Sequence, residues 1–205
     1  RKNARHNLDV LTPFVEDGAK VLAINPTCAM MMRREYPELL AREDRPRAEK
    51  LAAAVQDPGE FLWSIRKEPR FCRDFKSTPG NSVSYHAPCH LRAQNIGLKS
   101  RDLMKLTGAK VTVVAECSGI DGTWGYRAEN YERARQVAKK MSVAIGKANG
   151  EVVAGDCHLA NGGIVQETGR QPATQPLSSP HVSVRRPSCS AGAVGRSAAW
   201  RFISP

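Results

Sequence analysis

Apolar residues recur at helical spacing from Asn7 to about Glu16, at Leu8, Leu11, Phe14 and Val15, and Gly18 follows as a stop. Lys20-Val21-Leu22-Ala23-Ile24 reads as a short buried strand ending at Asn25-Pro26-Thr27-Cys28. The spacing predicts helices over Ala29–Leu40, interrupted near Pro37, and over Arg45–Val55, with Pro46 suited to the first turn. Asp57-Pro58-Gly59-Glu60 combines an N-cap, a first-turn proline and a capping-box glutamate, so a helix starts at Pro58 and runs to about Lys67. Ser77–Asn81 is turn-rich. A strand follows at Ser82–His86, then a helix from about Asn95 to Gly108, and a second strand at Lys110–Ala115. A glycine-rich loop covers Ser118–Gly125. The long helix Ala128–Asn149 is stopped by Gly150, strand Glu151–Gly155 comes next, and a weak helix runs from Cys157 to Gly169.

Strands alternating with helices predict an α/β fold with a mostly parallel sheet. The order helix, Gly, strand, Cys, helix occurs once around Cys28 and again around Cys157, which predicts a fold built from duplicated units. The expected division is a C-terminal part of a first unit with connecting helices at 1–76, a second unit at 77–178 and a separate tail at 179–205. The chain opens on Arg1 inside a helical pattern, so it reads as a fragment or trimmed product.

Composition narrows this further. The chain has 205 residues, 41% hydrophobic and 25% charged, which is ordinary for a globular protein with a proper core. No apolar run reaches the roughly 18–20 residues of a membrane span, and no secretory signal is visible. The net charge is +11, but Lys and Arg are interspersed with Glu and Asp, as in Arg42-Glu43-Asp44-Arg45. Such a surface is a solvated one, and no nucleic-acid partner is expected. Cytoplasmic placement, with a possible peripheral position on the membrane's inner face, is the expectation.

Six cysteines matter more than the charge. Cys28, Cys89, Cys117 and Cys157 all stand just past the carboxyl end of a strand, where open parallel sheets bind ligands. Cys89 to Cys117 spans 28 residues and Cys117 to Cys157 spans 40, each about one strand–helix unit. Their sulfurs are therefore expected at one sheet edge. Thiolates suit iron–sulfur clusters or zinc. Cys157 precedes a helix N-terminus, which favours thiolate. His86, His90 and His158 flank the same cysteines.

Pro88-Cys89-His90-Leu91, Glu116-Cys117-Ser118-Gly119 with its glycine-rich continuation, and Asp156-Cys157-His158-Leu159-Ala160 together resemble the cysteine-rich (CCG) domain family of iron–sulfur oxidoreductase subunits. That family includes a subunit of heterodisulfide reductase and the iron–sulfur subunits of anaerobic glycerol-3-phosphate dehydrogenase and glycolate oxidase. The resemblance covers roughly residues 7–178. Ser118 and Ala160 stand where the family often has further cysteines, and Asn25-Pro26-Thr27-Cys28 looks like the end of a preceding copy.

The resemblance implies an electron-transfer subunit of a flavin- or quinone-linked dehydrogenase, with a flavoprotein or other redox partner. Cys89, Cys117 and Cys157 would ligate a [4Fe–4S] cluster, Gly119 and Gly122 would shape the loop against it, and Cys28, His90 and His158 are secondary candidates. The alternative is a non-redox scaffold of the same fold binding zinc or no metal. Cys72 reads as a surface or half-buried thiol, Trp124 as a packing residue beside the cysteine loop, and Met30, Met31 and Met32 as core filler. The Ser-, Ala-, Gly- and Arg-rich tail, which carries Cys189, shows no period and reads as disordered or frame-altered.

Overall fold

The computed structural model describes residues 1–71, 75 and 81–174. Cys72, Cys189, most of the 77–81 turn and the 179–205 tail lie outside the described residues.

The first stretch holds helix α1 (Lys2–Glu16), strand β1 (Val21–Leu22), helix α2 (Pro26–Met30), a π-helical turn (Met31–Glu35) and helix α3 (Tyr36–Leu39). Helix α4 (Arg45–Ala54), strand β2 (Val55–Gln56) and helix α5 (Pro58–Ser64) follow. β1 and β2 pair in parallel, Val21 with Val55 and Leu22 with Gln56. Leu8, Met32, Tyr36, Leu51 and Val55 share the core beneath them.

Two details differ from the periodicity. The helix predicted from Ala29 begins at Pro26, because Asn25 caps it by accepting the Thr27 N–H at 3.0 Å. Pro37 does not break it. A proline lacks the N–H for the normal ladder and its ring crowds the carbonyl four residues back, and the widened π turn immediately before it relieves both conflicts.

The second stretch contains strand β3 (Ser82–His86), helices α6 (Cys89–Ala93) and α7 (Lys99–Leu106), strand β4 (Lys110–Val114), helix α8 (Tyr131–Ala148), strand β5 (Val152–Gly155), helix α9 (His158–Thr168) and the short strand β6 (Ala173–Thr174). The sheet order is β4-β3-β5-β6 and every pairing is parallel. The molecule is thus an α/β protein.

The helix predicted from about Asn95 starts later, and the short α6 before it was not predicted. Asn95 and Gly97 take positive φ values of 56° and 77°, so the chain turns there, α7 starts at Lys99, and a separate short helix begins at Cys89. At the end of α8 the left-handed cap is Asn149 at φ 46°, one residue before the glycine expected to stop it. Gly150 serves another purpose. A Cβ there would meet the Ser84 nitrogen at 2.3 Å, and the Gly150 N–H donates to Ser84 Oγ at 2.9 Å.

The sheet's two faces are covered by different crossovers. Val83 and Tyr85 of β3 pack toward Leu98 and Met104 on the α7 side. Val114 and Val153 pack with Met141, Ile145 and Ile164 of α8 and α9 on the other. The connections leaving β3 and β4 therefore go to opposite faces, which opens a crevice at the carboxyl ends of these neighbouring strands.

Gly146 lies inside α8 with open space where a Cβ would go. Gly146→Ala is expected to raise stability by about 0.5–1 kcal/mol through helix propensity alone, read as a higher denaturant midpoint.

Candidate metal centre

The loops after β3, β4 and β5 meet at that crevice. Cys89 is the first residue of α6, Cys117 sits in the loop after β4, and Cys157 is the N-cap of α9. All three line one small hollow of about 30 Å³ that opens to solvent, together with Thr27, His86 and His90. Cys89 and Cys117 are exposed and Cys157 is buried. Burial pushes the Cys89 thiol up, and the neighbouring Cys117 adds to the shift.

Backbone and side chains organise the sulfurs. The Gly119 N–H donates to Cys117 Sγ at 3.4 Å, the close approach expected of a glycine loop, and Gly119 holds φ at 76°. Gly122, at φ 64°, lines the hollow itself. Cys157 Sγ stands 3.9 Å from Asn25 Oδ1, and Thr27 Oγ1 shares a hydrogen bond of 2.7 Å with His90 Nδ1. The first stretch thus closes one side of the hollow through the loop after β1. Gln94 ties this contact down, donating to the Pro26 carbonyl at 3.1 Å and accepting from Arg33, which also pairs with Glu60 at 2.6 Å.

Cys28 and His158 are placed differently. Cys28 is exposed on α2 and does not line the hollow, although its neighbour Thr27 does. His158 is exposed at the start of α9 and is also outside the lining. Ser118 and Ala160 line it as buried residues. Trp124 and Tyr126 remain exposed in the same loop region, and the Tyr126 hydroxyl donates to the Leu159 carbonyl at 3.3 Å. Among the described residues, no three His, Cys, Asp or Glu side chains converge as they would around one metal ion.

Behind the centre, on the α7 side of the sheet, lies a buried acidic cluster that the sequence reading did not find. The Tyr85 hydroxyl donates to Asp156 Oδ2 at 2.5 Å. Burial lifts Asp156 to about 7, and nearby Asp57 adds to this while the Tyr85 and Ser100 hydroxyls oppose it. Burial lifts Asp57 to about 6 against the N–H bonds of Gly59 and Glu60, which it caps. The capping box was legible; the partner acid, 99 residues away, was not.

A raised carboxyl holds its proton more tightly when folded. Its stabilising contribution is complete below the ordinary value of 3.8 and is lost as pH rises through about 6 for Asp57. Asp57→Asn keeps a capping oxygen but removes the charge. Its melting temperature is expected to fall less than that of the unsubstituted protein between about pH 4 and pH 7, by an amount equivalent to at most about 3 kcal/mol. Parallel profiles in thermal melts would show that Asp57 does not titrate in this window.

The geometry so far defines a class: a parallel α/β domain that gathers cysteines from successive strand-end loops into one solvent-facing hollow. Residues 83–159 match the model of the cysteine-rich domain family, CCG. The chain is also similar to a subunit of the anaerobic glycerol-3-phosphate dehydrogenase of Escherichia coli strain K12, with 28% identity over 171 residues, covering 82% of this chain and 42% of that protein. The corresponding protein of Escherichia coli O157:H7 matches to the same extent. The chain therefore spans less than half the length of these curated relatives. No solved structure matches it at a significant level.

Proposed function

We propose that the hollow lined by Cys89, Cys117 and Cys157 holds an iron–sulfur cluster, and that the chain serves as an electron-transfer subunit of a flavin- or quinone-linked dehydrogenase. The observation that carries this reading is the meeting of three thiols, each from a different strand-end loop, around one hollow. The similarity to a dehydrogenase subunit supports it, and points to a glycerol-3-phosphate dehydrogenase type of complex.

Thiols suit an iron–sulfur cluster, and the similarity to a dehydrogenase subunit favours a cluster over a lone zinc ion. Zinc needs its ligands to converge within about 2.3 Å of a single point. A cluster takes each thiolate on a different iron, so its ligands stand apart around a wider space. When bound, such a cluster accepts and returns electrons, which is the chemistry an electron relay needs.

The chain's own residues do the rest. Cys89 and Cys117 approach from the solvent side and Cys157 from the interior. The Gly119 N–H at Cys117 Sγ stabilises sulfur carrying negative charge. Asn25 and Thr27 hold Cys157 and His90 from the opposite side. Exposed Trp124 and Tyr126, in the loop beyond Cys117, offer an aromatic surface to a redox partner. Among the described residues no helix is long and apolar enough to cross a membrane; a cytoplasmic site of action, with peripheral membrane association through the partner complex, is part of the proposal.

The test is electron relay itself. Anaerobically reconstituted protein should be bleached by a reduced flavoprotein or dithionite and recover its absorption on addition of a soluble quinone. Protein that shows no reducible visible absorption would contradict the relay role.

A further inference from the structure

We infer that His86 supplies a nitrogen donor, Nδ1, to the same centre, an extension that rests on the iron–sulfur reading above. His86 is the last residue of β3 and pairs in register with Val114 of β4 and Gly155 of β5, so it sits where the three cysteine-bearing loops depart. The residue is only 1% exposed, yet it lines the cysteine hollow.

Its protonation state follows from its partner. His86 Nε2 lies 2.9 Å from the Glu116 carbonyl oxygen, which can only accept, so Nε2 carries the hydrogen. Burial and the nearby Arg92 both disfavour a second proton on the ring. Nδ1 is therefore a bare lone pair, and it is buried with no partner among the described residues. Buried polar atoms are almost always paired. Of the other buried polar atoms without a hydrogen bond, Asp44 Oδ2 pairs with Arg5 at 3.0 Å and the Ser100 hydroxyl acts on Asp156, while Asp57 and Asn161 lie outside the hollow. The arrangement has the pattern of a ligating histidine, whose remote N–H is fixed by a backbone carbonyl while the other nitrogen faces the metal. The carbonyl it grips directly precedes Cys117, so the same ring also sets the position of that loop.

The experiment uses the full chain with 15N-labelled histidine, reconstituted anaerobically with iron and sulfide, reduced, and examined by pulsed EPR. The expected result is a nitrogen hyperfine coupling that disappears in His86→Gln and persists in His90→Gln. Gln can still donate an amide N–H to the Glu116 carbonyl, and circular dichroism checks that the variant is folded. A cluster that forms without any nitrogen coupling, or whose coupling disappears only in His90→Gln, overturns the His86 assignment and leaves the iron–sulfur reading standing. Protein that binds no iron overturns both. The labelled unsubstituted protein reports on nitrogen ligation even if His86→Gln fails to fold.

Discussion

Cys157→Ser is expected to abolish stable cluster binding, while Cys28→Ser leaves it unchanged. Cys157 is the buried thiol of the three, held at the N-cap of α9 with Asn25 beside it. A serine hydroxyl keeps the space and the capping position but removes the soft donor that iron prefers. Iron content after desalting should fall to near background for Cys157→Ser, and by a similar amount for Cys89→Ser and Cys117→Ser. Cys28 stands outside the lining, so its loss should cost nothing beyond scatter. Equal iron retention by the Cys28 and Cys157 variants would remove the ligand assignment.

Gly119→Ala should be the most disruptive of the small substitutions in this region. Its φ of 76° is unfavourable for any L side chain, and an added Cβ would lie 2.2 Å from the Ala134 carbonyl oxygen on α8. The obstacle is helix backbone rather than a flexible side chain, so either the loop or the helix must shift. The conformational penalty of about 1–2 kcal/mol and an overpacking penalty of about 1–3 kcal/mol add to roughly 2–5 kcal/mol. For a chain of this size that lowers the melting temperature by on the order of 10 °C. Gly122→Ala is the control: it shares the positive φ of 64° but has nothing within 4 Å of the added carbon, so only the smaller conformational penalty applies. Near-equal melting temperatures for the two variants would show that the Gly119 loop yields freely.

These contrasts bear on what the residues disclose before any fold is known. β3, β4 and β5 are runs of β-branched and aromatic residues bounded by glycine or proline, and their limits were legible to within a residue. Parallel order then brings the segments after those strands to one edge, which is why cysteines 28 and 40 residues apart line a common hollow. The late start of α7 was hidden because Ile96 and Leu98 extend its apolar spacing toward Asn95; the left-handed conformation of Asn95 shows only in three dimensions. His86 was visible merely as a histidine near a cysteine. Its fixed tautomer depends on the Glu116 carbonyl, 30 residues away across a strand pair, and no local pattern encodes that. Cys28, a secondary candidate at the end of a preceding copy, has a different placement. It shares the strand-end spacing of its counterparts, but the cap at Asn25 starts α2 early and places Thr27, not Cys28, against the hollow.

The central claim is that this hollow binds iron and sulfide through cysteine. The most direct measurement is iron and acid-labile sulfide analysis, with EPR of the reduced state, on unsubstituted protein reconstituted anaerobically and then desalted. The predicted result is comparable bound iron and sulfide, with an EPR signal that is absent from the variant in which Cys89, Cys117 and Cys157 are all replaced by serine. A colourless, iron-free protein, or iron retained undiminished by that triple variant, would contradict it.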